Sequence, residues 1–219
     1  MRATATRIAP WVLTGGLIGG LLAARRWQQV WGATPEEVAA RLPGDEILGC
    51  ADLVATRAVS VQAPPEDVWP WLVQLGQGRG GFYSYDRLQS LVGLRIVNAE
   101  EVVPEWQDLA PGDEVRLAPE APLVAAVVDP GRALVLHGSP EVPSARGLPM
   151  PFAFTWAFVL RPGPRGSTRL VVRERYGYLE PWVGALVEAV QVASFVMTRR
   201  MLRGIRERAE DRPAAVPVP

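Results

Sequence analysis

A proline-started helix that runs into a glycine-rich break is the feature that most limits how this chain can fold. A strand-like run, L-V-A-T-R-A-V-S-V-Q, extends from Leu53 to Gln62, and A-P-P-E-D-V-W-P-W-L-V-Q-L-G-Q-G-R-G-G-F-Y-S-Y-D follows from Ala63 to Asp86. Prolines suit the first turn of a helix, where the missing N–H costs no hydrogen bond. Apolar residues then recur at helical spacing, and the glycines that follow end the helix and allow a tight turn. The pattern predicts a strand, a helix, a glycine-rich break and an aromatic cluster, in that order.

The segment V-W-P-W-L-V-Q-L-G-Q-G-R-G-G-F-Y-S-Y-D resembles the start of a domain in the SRPBCC superfamily, and specifically a membrane-associated bacterial branch. This superfamily comprises START, pollen-allergen and polyketide-cyclase-like proteins. The resemblance covers residues 34–208 and implies a helix-grip fold, in which a sheet wraps round a long C-terminal helix and an apolar cavity lies between them. It does not imply one reaction, because the superfamily includes lipid carriers, hormone receptors, cyclases and domains with no known ligand. Function must therefore be argued from the site.

The rest of the chain alternates strand patterns with turns and ends in one long helix. Short helices are predicted at 34–42 and 86–92, an irregular loop at 139–151, and the final helix at 181–208. Strands are predicted at 97–103, 114–117, 123–128, 133–137, 152–160 and 168–178. This order alone predicts an α+β fold, and it is the helix-grip order of an antiparallel sheet round a C-terminal helix.

The N-terminal segment carries an uncharged apolar run from Ile8 to Ala24, with arginines on both sides. Its length and flanks predict a single-pass transmembrane helix, and the arginine balance favours a cytoplasmic domain at the cell membrane. A cleaved signal peptide and a buried helix remain alternatives. Two overlapping G-x-x-x-G patterns would allow self-association through Gly15, Gly16, Gly19 and Gly20. The predicted regions are a membrane anchor and juxtamembrane segment at 1–33, the domain at 34–208, and a disordered tail at 209–219.

The charge balance and the few metal-ligating residues exclude several classes of function. Lysine plus arginine and aspartate plus glutamate both total 23 residues, so no basic excess favours a nucleic-acid partner. Cys50 is the single cysteine and His137 the single histidine. A cysteine-based or multi-histidine metal site is therefore excluded. We expect neither a metal nor a cofactor.

The strand at 168–178 presents its even-numbered residues on the more apolar face, which we expect to point inward. That placement puts Glu174 and Tyr176 inside, with the carboxylate among aromatic side chains. Desolvation would raise the pKa of Glu174 unless the carboxylate is paired. The residue could be a polar anchor or a general acid or base in a pocket. It could equally form a structural ion pair with Arg79 or with an arginine of the last helix.

Other candidates lie near the glycine-rich break and on the aromatic strand. Tyr83, Tyr85 and Asp86 could line a cavity mouth, and the tyrosines could equally cap the core. Arg79 could bind an anionic group, or hold the loop by pairing with Glu105 or Asp108. Tryptophans are candidate pocket walls, although a core role is also open. The full predicted ligand-binding set is Trp71, Arg79, Tyr83, Tyr85, Asp86, Trp106, Trp156, Glu174 and Tyr176.

These features together favour a membrane-tethered domain that binds an apolar small molecule or lipid in an internal cavity. The first alternative is an enzyme resembling polyketide cyclases or aromatases, with acid/base residues in the pocket. The second is an interaction module whose cavity is closed. A mostly apolar cavity lining would favour the carrier, and a cluster of buried acid/base groups would favour the enzyme.

Overall fold

The computed structural model describes residues 10–84, 97–118, 121–140 and 152–211. The helices are α1 (Pro10–Gln29), α2 (Pro35–Ala39), α3 (Pro65–Val73) and α4 (Val183–Glu210). The strands are β1 (Leu53–Val61), β2 (Glu114–Ala118), β3 (Ala121–Asp129), β4 (Ala133–Gly138), β5 (Phe152–Pro162) and β6 (Thr168–Tyr178).

The six strands form one antiparallel sheet in the order β1-β6-β5-β4-β3-β2. Along β5, the side chains of Phe154, Trp156 and Phe158 alternate onto one face and are buried. The core also contains Leu202 and Ile205 of α4, so this helix covers the inner face of the sheet. The architecture is therefore α+β, and a six-stranded antiparallel sheet with a long C-terminal helix fits the helix-grip expectation.

The outer face of the sheet is covered by the segment that follows α1. Arg173, on an odd-numbered position of β6, is buried and reaches into this segment. Its guanidinium donates to the carbonyl oxygens of Glu37, Val38 and Ala40 at 2.8–3.0 Å and to Asp45 Oδ2 at 2.7 Å. A planar guanidinium with five donors suits this role, because one side chain can bind several acceptors in a fixed geometry.

Helix α1 contacts the domain near its C-terminal end. The Trp27 ring meets Phe195 of α4 at a centroid distance of 5.1 Å, and Arg25 pairs with Glu188. In the described part of α1, residues 16–27 are exposed. None of the helices in the described ranges is both long and apolar enough to cross a membrane. The transmembrane helix expected from Ile8 to Ala24 is thus not found there.

Most predicted elements are present, with bounds shifted by a few residues at their ends. The strand predicted at 97–103 is wrong: the segment is irregular and leads into a 3₁₀ turn at Pro104–Trp106. Its polar groups bond to the glycine-rich loop and to Gln74, directly after α3, instead of to a strand: Ala99 N donates to Gly80 O and Val103 N donates to Gln74 Oε1. The helix predicted at 86–92 and residues 141–151 of the predicted loop lie outside the described residues, as does 212–219 of the predicted tail.

Replacing Arg173 with Ala should lower the free energy of unfolding by about 3 kcal/mol or more, because Asp45 would lose its buried partner and three carbonyls would lose a donor. Urea denaturation followed by circular dichroism measures the change. Arg41 lies in the same segment and is exposed. The control Arg41→Ala should therefore change stability by less than about 0.5 kcal/mol. Equal effects of the two substitutions would contradict this role of Arg173.

Candidate functional site

A cavity of about 280 Å³ lies between the inner face of the sheet and α4. Its walls are mostly aromatic rings and methionine side chains, and most of its polar groups are Glu174 and the hydroxyls that bond to it. The lining residues are Phe82, Ser84, Leu117, Phe152, Phe154, Trp156, Glu174, Tyr176, Ala193, Ser194, Met197, Thr198 and Met201. The combination of apolar walls and a localised polar group is typical of small-molecule sites.

Both carboxylate oxygens of Glu174 are occupied by donors. Oε1 accepts from Arg57 Nη1 at 2.7 Å and from Thr198 Oγ1 at 2.8 Å. Oε2 accepts from Ser194 Oγ at 3.1 Å and from Tyr176 OH at 3.3 Å. The bond from Arg57 is charge-assisted, which makes it stronger than a bond between neutral groups. The carboxylate is therefore held in place with two donors on each oxygen.

Arg57 is the counter-ion, and it comes from β1. The side chains of Arg57 and Glu174 are 1% and 3% exposed. The remaining guanidinium nitrogens are also engaged, because Nε donates to the Gln28 carbonyl at 2.9 Å and Nη2 lies 3.4 Å from Gln191 Oε1. The guanidinium also lies 5.6 Å from the centre of the Phe195 ring. The two charges thus neutralise each other in an environment where either alone would be unfavourable.

Tyr176 keeps its proton under physiological conditions. Burial raises the pKa of Tyr176 well above its ordinary value, and the nearby Glu174 carboxylate raises it further. A phenolate beside a carboxylate in a desolvated site would be strongly disfavoured. The residue therefore acts as a neutral hydroxyl whose proton points to Glu174.

Trp156 stands directly opposite Glu174 in the β5–β6 register. Side chains at opposed positions of an antiparallel pair lie on the same face and within contact range. Trp156 is 7% exposed and lines the cavity. Its indole Nε1 is buried and has no hydrogen-bond partner within the described ranges. The wall of the cavity therefore includes a buried donor that the described residues leave unsatisfied.

The glycine-rich loop forms a second cluster that does not line this cavity. Arg79 Nη2 donates to the carbonyls of Val73 at 3.0 Å and Trp106 at 2.8 Å. Burial lowers the pKa of Arg79. The Tyr83 hydroxyl donates to the Trp71 carbonyl at 3.1 Å, and the two rings meet edge to face with centroids 5.7 Å apart. These contacts hold the loop against α3, and the bonds of Arg79 run to carbonyl oxygens instead of to Glu105 or Asp108.

The predicted ligand-binding residues thus separate into three groups. Trp156, Glu174 and Tyr176 line the cavity together. The loop cluster contains Trp71, Arg79, Tyr83 and Trp106. Tyr85 and Asp86 lie outside the described residues. Glu174 does form a buried ion pair, although its partner is Arg57 instead of Arg79 or an arginine of the last helix.

The sequence reasoning missed Arg57 and several of the lining residues, although the chain carries a signal for some of them. Arg57 interrupts an apolar face of β1 made by alternate residues, which indicates a buried partner on a neighbouring strand. On α4, Ser194 and Thr198 are four residues apart and therefore share a face. The aromatic alternation of β5 already contained Phe152 and Phe154.

A larger depression of about 530 Å³ lies against the outer face of the sheet. Its lining includes Arg173 and Arg175, whose guanidinium groups are bonded to backbone carbonyls of the covering segment and to Asp45. Arg173 and Arg175 therefore hold the segment to the sheet. In the described parts of the chain, no group of three or more His, Cys, Asp or Glu residues is placed to hold a metal ion.

No protein-family model and no curated protein matches this chain. Among solved structures, protein MLL2253 from Mesorhizobium loti is 15% identical, with a TM-score of 0.40, and the match covers 72% of this chain and 98% of that one. CalU16 from Micromonospora echinospora is 15% identical with a TM-score of 0.33, covering 72% of this chain and 83% of that one. The di-domain ARO/CYC protein StfQ from the steffimycin biosynthetic pathway is 17% identical with a TM-score of 0.42, covering 73% of this chain and 52% of that one. At such low similarity the fold rests on this chain's own strand order and helix placement.

A double-mutant cycle on the buried pair should show strong coupling. Arg57→Met and Glu174→Gln should each lower the free energy of unfolding by about 3–5 kcal/mol, because each leaves one buried charge without its partner. The double variant should be less destabilised than the sum of the two, with a coupling energy of about 2 kcal/mol or more in urea denaturation.

The ion pair of Arg200 and Glu207, with side chains 33% and 48% exposed, provides the matched control. Coupling there should stay below about 1 kcal/mol, because water screens exposed charges. Coupling of the buried pair no larger than that of the exposed pair would contradict the view that the two buried charges depend on each other.

Proposed function

We propose that this protein binds an apolar small molecule in the cavity between the sheet and α4. The observation that carries the proposal is an apolar cavity of about 280 Å³ whose aromatic and methionine walls surround one fixed polar cluster. Apolar walls supply affinity by removing ligand surface from water, and a few polar groups fix orientation.

The size of the cavity limits the ligand. At about 280 Å³ it lies just below the range of roughly 300–1,000 Å³ that is common for drug-sized ligands. A short chain or a molecule of one or two rings suits this space better than a complete phospholipid. Met197 and Met201 are unbranched and adaptable, which would let the wall adjust to different shapes.

The chemistry of Glu174 favours binding over acid/base catalysis. A general base needs a lone pair directed at the substrate proton, within hydrogen-bond reach. Both oxygens of Glu174 already accept two hydrogen bonds from protein groups, and Arg57 compensates its charge. A cyclase-like or aromatase-like reaction would have to break part of this network first. The cavity volume likewise favours binding over an interaction module with a closed cavity.

We propose in addition that α1 brings the domain to a lipid surface. Four apolar side chains of α1, Leu17, Ile18, Leu21 and Leu22, are 53–65% exposed. Helix α4 contacts α1, and Leu186, Val192 and Val196 of α4 are exposed as well, as is Trp182 directly before it. Contiguous exposed apolar surface is uncommon on soluble domains and typical of surfaces that contact a membrane or a partner. A lipid surface would also hold a supply of apolar ligands.

Uptake of the uncharged fluorescent probe N-phenyl-1-naphthylamine tests the cavity. The wild-type protein should bind it saturably with one probe per chain. Ala193 lines the cavity and is exposed, so Ala193→Trp can fill the entrance without being forced into the core. This substitution should weaken probe binding by at least about tenfold, since each factor of ten corresponds to about 1.4 kcal/mol of lost contact.

The matched control is Ala189→Trp, at an exposed position one turn earlier on α4 that does not line the cavity. It should bind the probe like the wild-type protein. If both tryptophan variants bind the probe as tightly as the wild type, the probe occupies the exposed apolar surface. That result would contradict a cavity ligand.

Sedimentation with phospholipid vesicles tests the lipid contact. Leu17→Ser combined with Leu21→Ser should reduce the vesicle-bound fraction several-fold, because burial of each leucine contributes about 1.5–3 kcal/mol. Val97 is 81% exposed but lies outside α1, so Val97→Ser is the control and should leave binding unchanged. Unchanged sedimentation of the double variant would rule out α1 as the lipid contact.

A further inference from the structure

The hydrogen-bonding groups of the cavity limit the chemistry of the ligand beyond its being apolar. This inference rests on the proposed function. It uses four side chains that line the cavity together: Trp156, Tyr176, Ser194 and Thr198. Trp156 carries a donor that is not used within the described residues, and each of the other three carries a hydroxyl that donates to Glu174.

Each hydroxyl has one proton and two lone pairs. Ser194, Thr198 and Tyr176 all lie within hydrogen-bond distance of Glu174, at 3.1, 2.8 and 3.3 Å. A carboxylate held by Arg57 is an acceptor only, so each of these contacts requires the hydroxyl to donate its proton. What the three hydroxyls can offer to a ligand is therefore lone pairs, and the ligand must donate a proton to use them.

The opposite requirement applies at Trp156. An indole N–H is a donor and has no acceptor capacity. Trp156 is more than nine-tenths buried, and its Nε1 has no partner within the described ranges. A buried donor without a partner is unfavourable, so a ligand oxygen that accepts from Nε1 would remove this penalty. The register places Trp156 directly across from Glu174, and both residues line the cavity.

We propose that the cavity selects an apolar ligand that carries a hydroxyl group, as a phenol or an alcohol. The ligand oxygen accepts from Trp156 Nε1, and the ligand proton is donated to a hydroxyl oxygen beside Glu174. A ketone or ether could accept from the indole N–H but has no proton to donate to a hydroxyl oxygen. A hydrocarbon could form neither hydrogen bond. A ligand carboxylate would place its lone pairs against those of the hydroxyls beside Glu174. Arg57 could not compensate its charge, because it is already paired with Glu174.

Three ligands with the same ring system separate these cases: 2-naphthol, 2-methoxynaphthalene and naphthalene. Isothermal titration calorimetry on the full chain should rank their affinities in that order, with naphthol at least about tenfold tighter than naphthalene. Ser194→Ala should weaken naphthol binding and leave 2-methoxynaphthalene unaffected. Trp156→Phe keeps an aromatic wall and should remove the advantage of 2-methoxynaphthalene over naphthalene.

The outcomes distinguish this inference from the function on which it rests. Equal affinities of the three ligands for the wild-type protein would overturn the hydroxyl preference and leave the apolar binding site intact. Failure of all three to bind, together with failure to bind N-phenyl-1-naphthylamine, would overturn both. If Trp156→Phe does not fold, as judged by circular dichroism, the wild-type ranking and Ser194→Ala still decide. A Ser194→Ala variant that weakens all three ligands alike would also contradict the proposed proton donation.

Discussion

The buried ion pair between Arg57 and Glu174 is the constraint on which the rest of this architecture depends. It links the two neighbouring strands β1 and β6. Arg57 also donates to the Gln28 carbonyl of α1, and Glu174 accepts from Ser194 and Thr198 of α4. Two charges removed from water need such a set of partners, because the attraction between them does not by itself offset their desolvation. The hydroxyls that supply these bonds then have no proton left for other acceptors. The hydrogen bonds that stabilise the buried ion pair thus also determine that these hydroxyls can offer a ligand only lone pairs.

Side chains of strand β6 line the cavity on one face of the sheet and bind the covering segment on the other. Its even-numbered residues Glu174 and Tyr176 face the cavity, while Arg173 and Arg175 on odd positions hold the covering segment on the outer face. A shift of register by one residue would exchange these faces, placing arginines in the cavity and the carboxylate outside. The alternation of charge and aromatic residues in this one strand therefore fixes the chemistry of the cavity and the path of the N-terminal segment together.

Local patterns were enough to predict the strands, α3, the long C-terminal helix and the inward placement of Glu174, because periodicity and turn residues act over short distances. The partner of Glu174 could not be found that way: Arg57 is 117 residues away, and only the pairing of the first strand with the last brings the two together. For the same reason the sequence predicts that Arg79 could hold the loop, but not that its acceptors are the carbonyls of Val73 and Trp106. The segment at 97–103 has a strand-like composition, yet its backbone N–H groups donate to the glycine-rich loop and to Gln74 instead of to a neighbouring strand.

The central claim is that the space between β5 and α4 is a ligand site. A crystal structure of the protein grown with N-phenyl-1-naphthylamine tests it most directly. The account predicts ordered density for the probe between Trp156 and Met197, with the Arg57–Glu174 bond unchanged. A cavity closed by the side chains of α4, with density for the probe only along the exposed surface of α1, would contradict it.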